Sequence, residues 1–191
     1  MDAFLVSTGI VGLAEIGDKT QLLAFLLAAR FRRPLPIVFG IFVATVANHA
    51  FAAAVGALVS ELLGASVMRW VLGLSFLAMA AWTMIPDEID AEEAQLAKYG
   101  VFLTTLIAFF VAEMGDKTQV ATVALAARYE SMAAIVAGTT FGMMLANVPA
   151  VYFGERIANR VPLKLVHGIA ALIFAVLGIA TLLGMGEGLG F

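Results

Sequence analysis

The chain has 191 residues, 62% of them hydrophobic and only 13% charged, with a formal net charge of −3 and no cysteine. A water-soluble domain carries about 45–50% apolar and about 25% charged residues, so a soluble globular fold is excluded, as are disulfides, zinc–thiolate centres and iron–sulfur clusters. With 11 basic against 14 acidic side chains, no basic surface is left for nucleic acid.

About 20 apolar residues are needed to cross a bilayer as a helix, and six segments qualify. The first covers 3–29. It opens on Asp2 instead of a basic region and holds Glu15, Asp18 and Lys19, so it reads as a span and not as a removable signal peptide. The second, 35–60, carries Asn48 and His49 in mid-span; these read as interhelical hydrogen-bonders, with His49 able to relay protons. The third covers 67–85. A polar stretch then follows over 86–99, with Asp87, Glu88, Asp90, Glu92 and Glu93, and divides the chain near its middle. Spans at 100–127, 132–154 and 162–184 complete the chain. Helices are expected throughout, because backbone groups in lipid must be satisfied internally. The expectation is thus an all-α membrane protein of six spans: a three-helix unit over 1–85, an acidic cytoplasmic linker over 86–99, and a second three-helix unit over 100–191. Trp70, Trp82 and Tyr99 fall near span ends as interface anchors, and His167 reads as interfacial. Met114, Met143 and Met144 read as apolar filling. Basic residues gather in cytoplasmic loops. Arg30, Arg32, Arg33, Lys98, Arg156, Arg160 and Lys164 share one side, against Arg69 and Arg128 on the other, which places both termini outside.

The two units are copies. Ala14-Glu-Ile-Gly-Asp-Lys-Thr-Gln21 recurs as Ala112-Glu-Met-Gly-Asp-Lys-Thr-Gln119, an offset of 98 residues. The same offset pairs Gly40 with Gly138, Gly56 with Gly154, Phe76 with Phe174, and His49 with Asn147, so it runs through all three helices of each unit. A second copy entering after three spans crosses from the opposite side. That is the inverted-repeat plan of many secondary transporters, with the binding site near midplane where the repeats meet.

The repeated motif puts charge where it is expensive. Glu15 and Glu113 each fall about halfway through a span, near midplane at 1.5 Å per residue. A charge there costs ~2.5–3.5 kcal/mol. Glu15, Asp18, Lys19, Glu113, Asp116 and Lys117 together would cost on the order of 15–20 kcal/mol if left unpaired. On a continuous helix Glu15, Asp18 and Gln21 share a face at i, i+3 spacing, Lys19 can pair with Glu15 at i+4, and Gly17 lets a neighbouring helix approach. Brought together, the copies offer four carboxylates and two ammonium groups, a balance of −2 that one divalent cation neutralises. The ligands, Glu15, Asp18, Gln21, Glu113, Asp116 and Gln119, are hard oxygens suited to Mg²⁺, Ca²⁺ or Mn²⁺; Lys19 and Lys117 balance charge. No resident cofactor is implied: the cation is cargo, and the partners are the lipid bilayer, the divalent cation and protons. Two alternatives stay open on these residues, a proton-coupled exporter of a small organic cation or amino acid, and a salt-bridge network that only locks helices. No nucleophile–base pair accompanies the carboxylates, so an enzyme is not expected.

The doubled E-x-G-D-K-T motif, the six spans and the acidic central loop resemble the Gdt family of cation/proton exchangers, whose bacterial members are the MntX/MneA-type manganese exporters. The resemblance covers essentially the whole chain. It implies Mn²⁺ export, with Ca²⁺ as a further cargo and protons as counter-ion, in a bacterial inner membrane. Glu15, Asp18, Glu113 and Asp116 match the family's acidic positions and would carry the metal.

Overall fold

The computed structural model describes residues 2–85, 100–158 and 163–184, and every regular element among them is an α-helix. In chain order these are α1 (Asp2–Glu15), α2 (Lys19–Phe31), α3 (Pro34–Trp82), α4 (Gly100–Glu113), α5 (Lys117–Arg128), α6 (Met132–Ala158) and α7 (Leu163–Leu182). The expected acidic linker over 86–99, with Lys98 and Tyr99, lies outside the described residues, as does Arg160.

Helix α3 contains two of the expected spans. They are divided at Gly64, whose φ of 68° and ψ of 163° are not helical and suit only a residue without a Cβ. Among the described residues three helices are long and apolar enough to cross a membrane: Pro34–Gly64, Met132–Phe153 and Lys164–Leu182. Ser66–Trp82 and Gly100–Glu113 are shorter apolar helices. Large apolar side chains point outward along these elements; Phe51 is 64% exposed and Leu62 73%. In water such faces would be an aggregation liability, whereas lipid solvates them.

The expected continuous spans over 3–29 and 100–127 are not continuous. The first is α1 followed by α2, and the second is α4 followed by α5, with a three-residue break inside each motif. The cause is the motif glycine. Gly17 has φ 84° and Gly115 φ 78°, left-handed conformations that end a helix. Asp18 (φ −76°, ψ 166°) and Asp116 (φ −78°, ψ 166°) then open the next helix from its N-cap position. Gly17 thus has a conformational role beside the one first assigned to it, room for a neighbour. A Cβ on the equivalent Gly115 would meet nothing within 4 Å.

Contacts between the two halves come in reciprocal pairs. A Cβ at Gly40 would stand 2.8 Å from Thr105 Cβ and 2.9 Å from the Phe102 carbonyl oxygen; one at Gly138 would stand 3.0 Å from Ser7 Cβ and 2.5 Å from the Phe4 carbonyl oxygen. Each glycine is therefore a point where one helix lies directly on the backbone of the other half. The apolar core is doubled in the same way. One cluster unites Leu23 and Leu27 of α2, Ile37 of α3, and Ala108 and Ala112 of α4. The residues 98 positions away, Ala121 and Leu125 of α5, Ile135 of α6, and Ile10 and Ala14 of α1, belong to the other. Phe76 and Phe174, which the offset makes equivalent, stack on each other with centroids 6.3 Å apart.

Candidate functional site

Both motif breaks are buried, and they meet. Glu15 closes α1 and Glu113 closes α4, each fully buried; Asp18 and Asp116 open α2 and α5 at 1% and 2% exposure. The two breaks are built alike. Asp18 N–H donates to the Glu15 carbonyl at 3.1 Å, and Asp116 N–H to the Glu113 carbonyl at 3.1 Å. Gln21 Oε1 accepts from Gly17 N–H at 2.9 Å, and Gln119 Oε1 from Gly115 N–H at 2.7 Å. Each glutamine thus reaches back one helical turn to tie down its own break, a variant of the capping box. Gln21 also donates from Nε2 to the Ala146 carbonyl at 2.9 Å, fastening α2 to α6.

The lysines pair across the halves. Lys117 Nζ bonds Asp18 Oδ1 with both side chains buried, and Lys19 Nζ lies 3.6 Å from Asp116 Oδ1. These pairs are repeat counterparts of each other. The expectation that Lys19 pairs with Glu15 is corrected here: the break at Gly17 starts a new helix at Lys19, so the two no longer share one helical face. The i, i+3 alignment of Glu15 with Asp18 fails for the same reason. The carboxylates gather instead because two broken helices abut, and Glu15 lies within electrostatic reach of Glu113, Asp18 and Asp116.

With both aspartates engaged by lysine, the formal −2 rests on the glutamates. Glu15 Oε1 accepts from Asn147 Nδ2 of α6 at 3.1 Å, and Glu113 Oε2 from Thr118 Oγ1 of α5 at 2.9 Å. Their other oxygens, Glu15 Oε2 and Glu113 Oε1, are buried and without a hydrogen-bond partner. Among the described residues no three of His, Asp and Glu converge closely enough to hold a metal ion.

Other expected residues are placed as follows. Asn48 and Asn147 do bridge helices; Asn48 Nδ2 donates to the Phe110 carbonyl at 3.1 Å. His167 is not merely interfacial, because its Nε2 lies 2.9 Å from the Ile16 carbonyl oxygen inside the first break. Met143 is fully buried, whereas Met114, in the second break, is 52% exposed. The sequence reading missed Thr118. Its place after Gly-Asp-Lys, at the N2 position of a helix start, is the signal that would have found it.

Comparison with known proteins identifies the family. The family model of the divalent cation/proton antiporter GDT1 matches residues 3–91 and 101–188. A protein of Vibrio cholerae serotype O1 named "Putative manganese exporter" is 48% identical over 182 residues, covering 95% of this chain and 90% of that protein. GDT1-like protein 4 of rice is 28% identical, covering 91% of this chain and 70% of its own length. A GDT1-like protein of Synechocystis is 26% identical, covering 95% of this chain and 97% of its own. No solved structure gives a significant match.

Proposed function

This chain belongs to the divalent cation/proton antiporter GDT1 family of membrane transporters, and on that premise we propose that it exports Mn²⁺ from the cytoplasm in exchange for protons, through a site made by the two motif breaks. The carrying observation is the meeting of two like-built, buried breaks, whose aspartates are neutralised by each other's lysines and whose glutamates keep unpartnered oxygens. The relative named for manganese supports the choice of cargo; Ca²⁺ is the second candidate.

In this reading the halves form six spans as inverted repeats, related by a two-fold axis in the membrane plane. The reciprocal contacts and the Phe76–Phe174 stack support it. Two of the spans are then discontinuous helices, the usual construction of a transporter's midplane site. Both termini lie outside a bacterial inner membrane.

Glu15, Asp18, Glu113 and Asp116 carry the cation. Gln21 and Gln119 hold the breaks in shape, and each amide oxygen retains a second lone pair that it can offer to the metal. The lysines are tethered counter-cations. When Mn²⁺ arrives, Asp18 and Asp116 exchange an ammonium for the metal; when it leaves, the ammonium groups return. Proton exchange follows from the glutamates: crowded, buried carboxylates repel one another once the cation departs, and proton uptake relieves that repulsion. Proteoliposomes containing the protein should take up Mn²⁺, and Glu15→Gln or Glu113→Gln should abolish uptake without loss of insertion. Full flux in both variants would remove the breaks from the mechanism.

A further inference from the structure

Among the buried positions beside the site at which the two halves differ, one pairs an amide with an imidazole. Asn147 of α6 hydrogen-bonds Glu15, and 98 residues earlier stands His49 of α3, fully buried. Its repeat-equivalent partner is Glu113. Neither ring nitrogen of His49 has a hydrogen-bond partner, and Glu113 Oε1, the counterpart of the oxygen that Asn147 holds, has none either.

The contacts along α3 place His49 at the level of Glu113. Gly40 lies on Phe102 and Thr105, Asn48 bonds the Phe110 carbonyl, and Gly56 lies against Val123 and Ala126. The first part of α3 therefore runs parallel to α4 and α5, and His49, between Asn48 and Gly56, comes opposite the break at 114–116. Residues 49 and 56 are seven apart and share a helix face, so His49 is on the side that meets α5. Thr45 Oγ1 and Asn48 Oδ1, one turn or less away, are also buried without partners. Buried polar atoms left unsatisfied are destabilising, and this group gathers on one side of the site.

We propose that His49 is a specificity-determining ligand, supplying the transported cation with an imidazole nitrogen on the Glu113 side where the Glu15 side offers only the amide of Asn147. Ca²⁺ and Mg²⁺ take oxygen ligands, whereas a nitrogen ligand favours transition metals. One histidine among oxygens thus turns a general divalent site into one that prefers Mn²⁺ to Ca²⁺ and Mg²⁺. The inference rests on the cation-site reading above.

The test is pulsed electron paramagnetic resonance of Mn²⁺ bound to the purified full-length protein, with Mn²⁺ and Ca²⁺ uptake measured in parallel. The chain has only two histidines, so His167→Gln isolates His49. Expected are imidazole-nitrogen modulation of the Mn²⁺ signal, its retention in His167→Gln, and its loss in His49→Asn. In His49→Asn the preference for Mn²⁺ over Ca²⁺ should fall by about tenfold or more, tenfold being the lower end of what losing even an outer-shell partner of a metal site costs. Mn²⁺ bound without nitrogen modulation, or modulation lost in His167→Gln, overturns the inference and leaves the carboxylate site standing. Absence of Mn²⁺ binding overturns both. If His49→Asn fails to fold, the wild-type and His167→Gln spectra still decide.

Discussion

Replacing Lys117 by Met separates the two lysine–aspartate pairs by magnitude. Lys117 is fully buried against an Asp18 that is itself 1% exposed. Removing one partner of a buried pair costs ~3–5 kcal/mol, because the remaining charge stays in a poor solvent. The counterpart pair is looser, with a Lys19 that is 25% exposed and lies 3.6 Å from the buried Asp116, so its loss should cost less than that of the fully buried pair. In chelator-containing buffer Lys117→Met should therefore unfold at a clearly lower temperature than wild type, and Lys19→Met at a temperature between the two. Metal should narrow the gap. Without Lys117 the site carries one more negative charge, so Mn²⁺ should bind more tightly and be released more slowly. At a concentration 100 times its dissociation constant, a ligand returns about 2.7 kcal/mol, which recovers most of the loss. The assay is thermal unfolding in detergent with chelator and with graded Mn²⁺, alongside flux in proteoliposomes. Equal destabilisation by the two variants, or weaker Mn²⁺ binding in Lys117→Met, would refute the view of the lysines as tethered counter-cations.

Three further outcomes are expected. Asp18→Asn and Asp116→Asn should insert normally yet lose Mn²⁺ transport, read as ion uptake per reconstituted protein; transport retained in both would leave the aspartates as partners of the lysines only. Gly115→Ala adds a methyl into open space, so its cost is the backbone alone, ~1–2 kcal/mol for an L-residue held at positive φ; an unchanged melting temperature would mean the break relaxes to a helix. Because the chain has no cysteine, Arg33→Cys and Ser131→Cys can each be labelled singly with an impermeant thiol reagent. These repeat-equivalent positions should react from opposite faces, Arg33→Cys from the cytoplasm and Ser131→Cys from outside, and reaction from the same face would end the inverted-repeat reading.

Much of the helical course was legible because lipid enforces long apolar runs, and the doubled motif was legible because identity at a fixed offset needs no structure. The breaks were legible too, but read wrongly. Gly-Asp-Lys-Thr-Gln holds a helix stop followed by an N-cap and a reaching glutamine, and the apolar length around it masked those signals. The partner of Lys19 could not be read at all. Sequence spacing offers Glu15, whereas the observed partner, Asp116, lies 97 residues away and reaches it only because α2 and α5 begin beside each other. His49 lies between these cases: its mismatch with Asn147 is visible in the repeat, but its level opposite Glu113 follows only from the contacts that Gly40, Asn48 and Gly56 make.

On the proposed reading a divalent cation exchanges for protons at the paired breaks. This exchange is tested most directly in proteoliposomes holding an internal pH indicator, with Mn²⁺ added outside. Mn²⁺ entry should raise the internal pH and acidify the bath, an imposed proton gradient should drive Mn²⁺ uphill, and Glu15→Gln should silence both signals. Mn²⁺ flux at full rate with no proton movement and no response to the gradient would contradict the account.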